Sequence, residues 1–84
     1  MMEKTLTVKI LSAEETLFEG QATAVFLPGE RSPFEVLPGH APIISTLDPG
    51  PVRVMSGCEE LVCREIRTGV VRVMDGVVTV CVEI

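Results

Sequence analysis

Short runs in which apolar and polar residues alternate, turn signals every several residues, and the lack of any sustained 3.6-residue apolar period predict an all-β protein. The expected architecture is a two-sheet antiparallel β-sandwich, or flattened barrel, of about eight to ten short strands. The 84 residues make one domain, residues 1–84. A chain this short buries only about 60–65% of its unfolded surface and cannot divide that between two cores.

The elements follow in order. Leu6, Val8 and Ile10 alternate with Thr7 and Lys9, the period-two pattern of a half-buried strand. Ser12-Ala13-Glu14-Glu15 ends it in a turn rather than a helix cap, because no helical apolar period develops before Gly20. A short strand is expected at Leu17 to Glu19. Ala22 to Leu27 follows, with Val25 and Leu27 on one side and Phe26 on the other. Phe34 to Leu37 and Ile43 to Leu47 are further short strands, then Val52 to Met55. Leu61 to Arg67 has no purely apolar face. One solvated face, a bulge or an edge position would each accommodate it. Val70 to Met74 and Val77 to Ile84 flank Asp75-Gly76, a two-residue sequence that favours a type I′ hairpin. Val78, Val80, Val82 and Ile84 are expected to face the core, with Thr79 and Glu83 outward.

Composition excludes several function classes. The apolar content of 46% argues against disorder. With no Trp or Tyr and a net charge of −5, the chain offers neither a stacking platform nor a basic surface, so nucleic acid is not an expected partner. Phosphate-cradling glycine motifs are absent, and no cofactor is expected. Cys58, Cys63, Cys81 and His40 lack the spacing of a zinc ribbon or knuckle. The thiols read as buried or half-buried reduced cysteines in a reducing, cytoplasmic setting. Neither a thiol-imidazole pair with an orienting third residue nor a carboxylate pair with specificity for acid-base work is identifiable, so no catalytic residue is expected. The apolar runs fall well short of the ~20 residues of a membrane helix, and any membrane association is expected to be indirect.

All six prolines lie between Pro28 and Pro51, while the flanking sequence is proline-free. Proline fixes φ and glycine supplies positive φ, so repeated Pro-Gly pairs build loops that keep one shape and present it to a partner. Within this stretch, Leu37-Pro38-Gly39-His40-Ala41-Pro42-Ile43-Ile44-Ser45-Thr46-Leu47, followed by Pro49-Gly50, closely resembles the signature of the epsilon subunit of rotary F-type ATP synthases. Ser12-Ala13-Glu14, Phe18-Glu19-Gly20 and Leu27-Pro28-Gly29 match that family's opening pattern in register. Ser32 and Glu35 stand where the family usually has glycines, and Pro33 where many members carry an acid.

The resemblance implies a non-catalytic rotor subunit of the central stalk, clamping the gamma subunit and resting one end on the c-ring of a proton- or sodium-translocating enzyme. Ser12, His40 and Ser45 correspond to stalk-facing positions, and Glu30, Arg31, Ser32 and Pro33 to the ring-facing loop. It also implies a peripheral place on the cytoplasmic face of the bacterial inner membrane. Longer members continue into a C-terminal helical hairpin, which the sequence up to Ile84 does not contain; a truncated form and a natural short form both fit. A β-sandwich adaptor with an unrelated partner is the alternative reading of the same residues.

Overall fold

The computed structural model describes residues 4–84, among which nine strands and no helix are found. They are β1 (Leu6–Leu11), β2 (Thr16–Ala22), β3 (Ala24–Leu27), β4 (Phe34–Val36), β5 (Ile43–Leu47), β6 (Gly50–Ser56), β7 (Glu59–Ile66), β8 (Thr68–Met74) and β9 (Val77–Glu83). A five-stranded sheet in the order β2-β1-β9-β8-β5 packs on a four-stranded sheet in the order β4-β3-β6-β7. The two-sheet sandwich expected from the sequence is therefore present.

One pair departs from an all-antiparallel arrangement. β1 runs parallel to β9, with Val8 opposite Val78 and Ile10 opposite Val80. Parallel neighbours need a long connection. Here the whole of the intervening chain supplies it, so β1 and β9 sit side by side in the middle of their sheet.

The core lies between the sheets and follows the alternation. Leu6, Val8 and Ile10 are buried, as are Val25, Leu27, Val52 and Val54 on the facing sheet. Among the described residues no polar or charged side chain is buried. Cohesion therefore rests on apolar burial, about 1.5–3 kcal/mol for each fully buried aliphatic side chain, and on the strand ladders.

Several boundaries differ from expectation. β2 continues past Glu19 through Gly20 and Gln21, because β1 supplies a partner for each of them. The run Ala22 to Leu27 is broken at Thr23, where the chain leaves one sheet for the other. Ala22 and Ala24 are buried on either side of this corner. Thr23 holds it: its N–H donates to the Met55 carbonyl at 2.8 Å, and its Oγ1 accepts from the Gly57 N–H at 2.8 Å. β7 turns out to be both an edge strand and bulged, since Val54 pairs with Val62 and Met55 with Glu60, leaving Leu61 extra. Ile84 does not join the core; it lies beyond the end of β9 and is 48% exposed, whereas Val78, Val80 and Val82 are buried.

The β8–β9 hairpin closes as its sequence predicts. Met74 pairs with Val77, and Asp75 and Gly76 have φ of 50° and 75°. Positive φ at both central positions is the type I′ turn, whose twist matches that of the strands. Replacing Gly76 with Val forces a β-branched residue into that conformation and is expected to destabilise the protein by about 1 kcal/mol or more. Asp75→Asn should stay within about 0.5 kcal/mol of the parent. Chemical denaturation of the two variants checks both values, and equal midpoints would exclude the turn's steric demand.

Candidate interaction surface

The proline-rich stretch folds as a set of anchored turns around the edge strand β5. Leu37-Pro38-Gly39-His40 is a type II turn, with Pro38 at its second position, Gly39 at φ 88°, and the His40 N–H donating to the Leu37 carbonyl at 3.1 Å. His40 Nδ1 donates to the Ala41 carbonyl at 2.7 Å. The ring itself is exposed.

Ser12 organises the turn between β1 and β2. Its Oγ accepts from the N–H groups of Glu14 and Glu15 at 3.4 and 3.2 Å, and its own N–H donates to the Glu15 carbonyl at 2.8 Å. Ser45 sits in mid-β5 on the face shared with buried Val71 and Val73, half-buried, with its hydroxyl donating to the Thr46 carbonyl. It lines an open depression of about 280 Å³ together with Glu30, Arg31, Ser32 and Phe34.

The three stalk-facing candidates do not form one cluster. Ser12 follows Leu11, which lies in one cross-strand row with Cys81, Val70 and Thr46. That row places the Ser12 turn at the same end of the sandwich as the loop after β3. Ser12 and β5 are separated across it by three strand spacings, about 14 Å. His40 precedes Ile43, whose partner Val73 lies next to the Asp75-Gly76 turn, so it belongs to the opposite end.

Glu30, Arg31, Ser32 and Pro33 form an exposed loop at the Ser12 end. Its base is tied to β5: Gly29 bridges to Leu47, the Glu30 N–H donates to the Thr46 carbonyl at 3.3 Å, and the Asp48 N–H to the Pro28 carbonyl at 2.8 Å. The Thr46 hydroxyl donates to the Glu30 carboxylate. A Cβ on Gly29 would come within 2.6 Å of both the Phe34 ring and the Ser32 carbonyl, so only glycine lets the loop fold down on itself.

A feature that the sequence reading did not single out is the outer face of the five-stranded sheet. Ile44, Val70, Met74 and Val77 are 74%, 44%, 41% and 36% exposed there. The signal was present in the adjacent apolar pairs Val70-Val71 and Val77-Val78, since a strand with one solvated face alternates instead. An open groove of about 570 Å³ crosses this face, from Leu11 and Ser12 past Cys81 and Val70 to Thr46.

The cysteines differ from expectation. Cys58, Cys63 and Cys81 are free and exposed. They fall on outward positions of a hairpin and two strands, where alternation leaves a small side chain uncovered. Among the described residues no three His, Cys, Asp or Glu side chains gather as a metal-ligand set. On the outer face of the other sheet, Arg53 lies over the Phe26 ring at 5.5 Å and donates to Glu60 at 2.7 Å. The hydrogen bond and charge of Glu60 hold the guanidinium above its ordinary pKa.

The family model of the ATP synthase delta/epsilon chain β-sandwich domain matches residues 5–84. The chain belongs to this family. Over 81 residues it is 42% identical to the ATP synthase epsilon chain of Bordetella petrii, a match covering 94% of this chain and 56% of that one. The chain thus spans about half the length of this relative. A chain in the Euglena gracilis mitochondrial ATP synthase superposes with a TM-score of 0.86 at 21% identity, covering 98% of this chain and 52% of that one. For a chain in the Tetrahymena thermophila mitochondrial ATP synthase central stalk and c-ring, the TM-score is 0.79 at 13% identity, with coverage of 100% and 67%. At these identities the likeness concerns the fold alone.

The anchored turns set different stability costs. Gly29→Ala is expected to destabilise by about 1–3 kcal/mol, because both neighbours that its Cβ meets must shift. His40→Ala, at an exposed ring held by one local hydrogen bond, should cost less than about 0.5 kcal/mol. Thermal unfolding of the pair reads the difference, and a harmless Gly29→Ala would contradict the tight loop base.

Proposed function

We propose that the chain is a non-catalytic rotor subunit of an F-type ATP synthase, joining the gamma subunit of the central stalk to the c-ring on the cytoplasmic face of the bacterial inner membrane. The observation that carries this is the delta/epsilon sandwich match over residues 5–84, together with 42% identity to an ATP synthase epsilon chain. The coupled ion is a proton or sodium ion, and the membrane is reached only through the complex.

The physical properties suit a coupling element. Such a part must keep its shape under load, and an all-apolar core beneath loops fixed by Pro-Gly turns loses little entropy on docking. Glu30 to Pro33 would meet the ring at one end of the sandwich. Ser12 and Ser45, with His40 at the far end, would meet the stalk along the β5 side and the exposed apolar face. Apolar surface of that kind on a small domain marks an interaction site.

Pull-down on the immobilised chain is expected to recover purified gamma subunit and c-ring and to leave unrelated β-sandwich partners behind. Introducing a charge through His40→Glu is expected to weaken gamma binding about tenfold or more without moving the melting midpoint, because an unpaired charge at an interface is costly. Unchanged gamma affinity would remove His40 from the stalk contact, and failure to bind either partner would sink the rotor reading.

A further inference from the structure

The loop Glu30–Pro33 belongs by chain connection to the four-stranded sheet, lying between β3 and β4, yet its hydrogen bonds run to β5 of the other sheet. Glu30 and Thr46 exchange two bonds. The Glu30 N–H donates to the Thr46 carbonyl at 3.3 Å, and the Thr46 hydroxyl donates to the Glu30 carboxylate. Both side chains are exposed, where a single hydrogen bond competes poorly with water. Two bonds within one residue pair share a single ordering cost, and a carboxylate acceptor strengthens the side-chain bond. The flanking Gly29–Leu47 bridge and the Asp48-to-Pro28 bond bring the two residues together beforehand.

We propose that Thr46 is the positioning residue of this loop. Its hydroxyl clasps Glu30, so that the exposed segment Arg31–Pro33 moves with the five-stranded sheet instead of swinging from β3 and β4. The clasp fixes the direction in which the loop meets its partner. The proposal rests on the reading of the loop as the ring-facing contact. Thr46 itself need not touch the ring, since its outward neighbours in the sheet are Val70 and Cys81.

The test uses the whole chain with three substitutions. Thr46→Val and Thr46→Ala remove the hydroxyl, with and without a branched side chain, while Thr46→Ser retains it. Hydrogen exchange on the free protein is expected to show the Glu30 amide opening about fivefold faster in the Val and Ala variants, the usual worth of one such bond. Amides of β1, β8 and β9 should be unaffected, and Ser should restore the parent rate. In parallel, the gain in residence time that the c-ring adds over gamma subunit alone is expected to fall by a similar factor in the Val and Ala variants and to be kept by Ser. Unchanged Glu30 exchange overturns the clasp, whatever the ring data show. Faster exchange with unchanged dissociation from the ring complex overturns Thr46 as a positioning residue. Parent protein that binds gamma but gains nothing from the ring overturns the ring-facing reading and this proposal with it, and the exchange arm still reports on the clasp by itself.

Discussion

The parallel pairing of β1 with β9 is the constraint on which the rest of the structure depends. It sets the first and last strands side by side in the centre of the five-stranded sheet. Without it, β2-β1 would be a separate hairpin and β9-β8-β5 a three-stranded remnant. Neither would cover Val25, Val36, Val52 and Val54 on the facing sheet. The contact joins residues about seventy positions apart, and loop closure over that length slows folding more than it limits final stability. Once made, it turns two weak ribbons into a single surface with a continuous apolar inner face.

Around that core, stiffness is distributed unevenly in kind. The sheets hold through burial, with no polar side chain inside among the described residues. Loops hold by local geometry: the type II turn before His40, the type I′ turn at Asp75-Gly76, the Ser12 turn, and the glycine packed beneath Phe34. Because the loop after β3 is bonded to β5, the two sheets are also joined at one end through backbone hydrogen bonds. A load applied to that loop is passed to both layers, and neither sheet slides freely on the other.

Charge is balanced across the exposed apolar face and acidic elsewhere. Ile44, Val70, Met74 and Val77 share their face with two cations, Lys9 and Arg72, and two acids, Glu19 opposite Lys9 and Glu83 opposite Thr68. Much of the net negative charge instead lies on turns and on the four-stranded sheet, at Glu14, Glu15, Glu30, Glu35, Asp48, Glu59, Glu60 and Glu65. An acidic periphery opposes association between copies of the chain.

Period-two alternation in β1 and β9, and the Asp75-Gly76 pair, determined the strand class and one turn outright, because local sterics alone decide them. The Leu37-to-Leu47 motif was equally legible and identified the family before any fold was described. Tertiary structure decided what local sequence does not encode. β1 found a parallel partner at the far end of the chain, Thr23 became a corner between sheets, and Leu61 became a bulge on an edge. Cys63 and Cys81 were left outward by the register of their neighbours, and Ile84 was left outside because the ladder ends at Glu83. The candidate site divides in the same way. Its candidate residues were named from the family resemblance, but the separation of Ser12 from His40 and the bond between Thr46 and Glu30 depend on which strands pair, and pairing is a property of the whole chain.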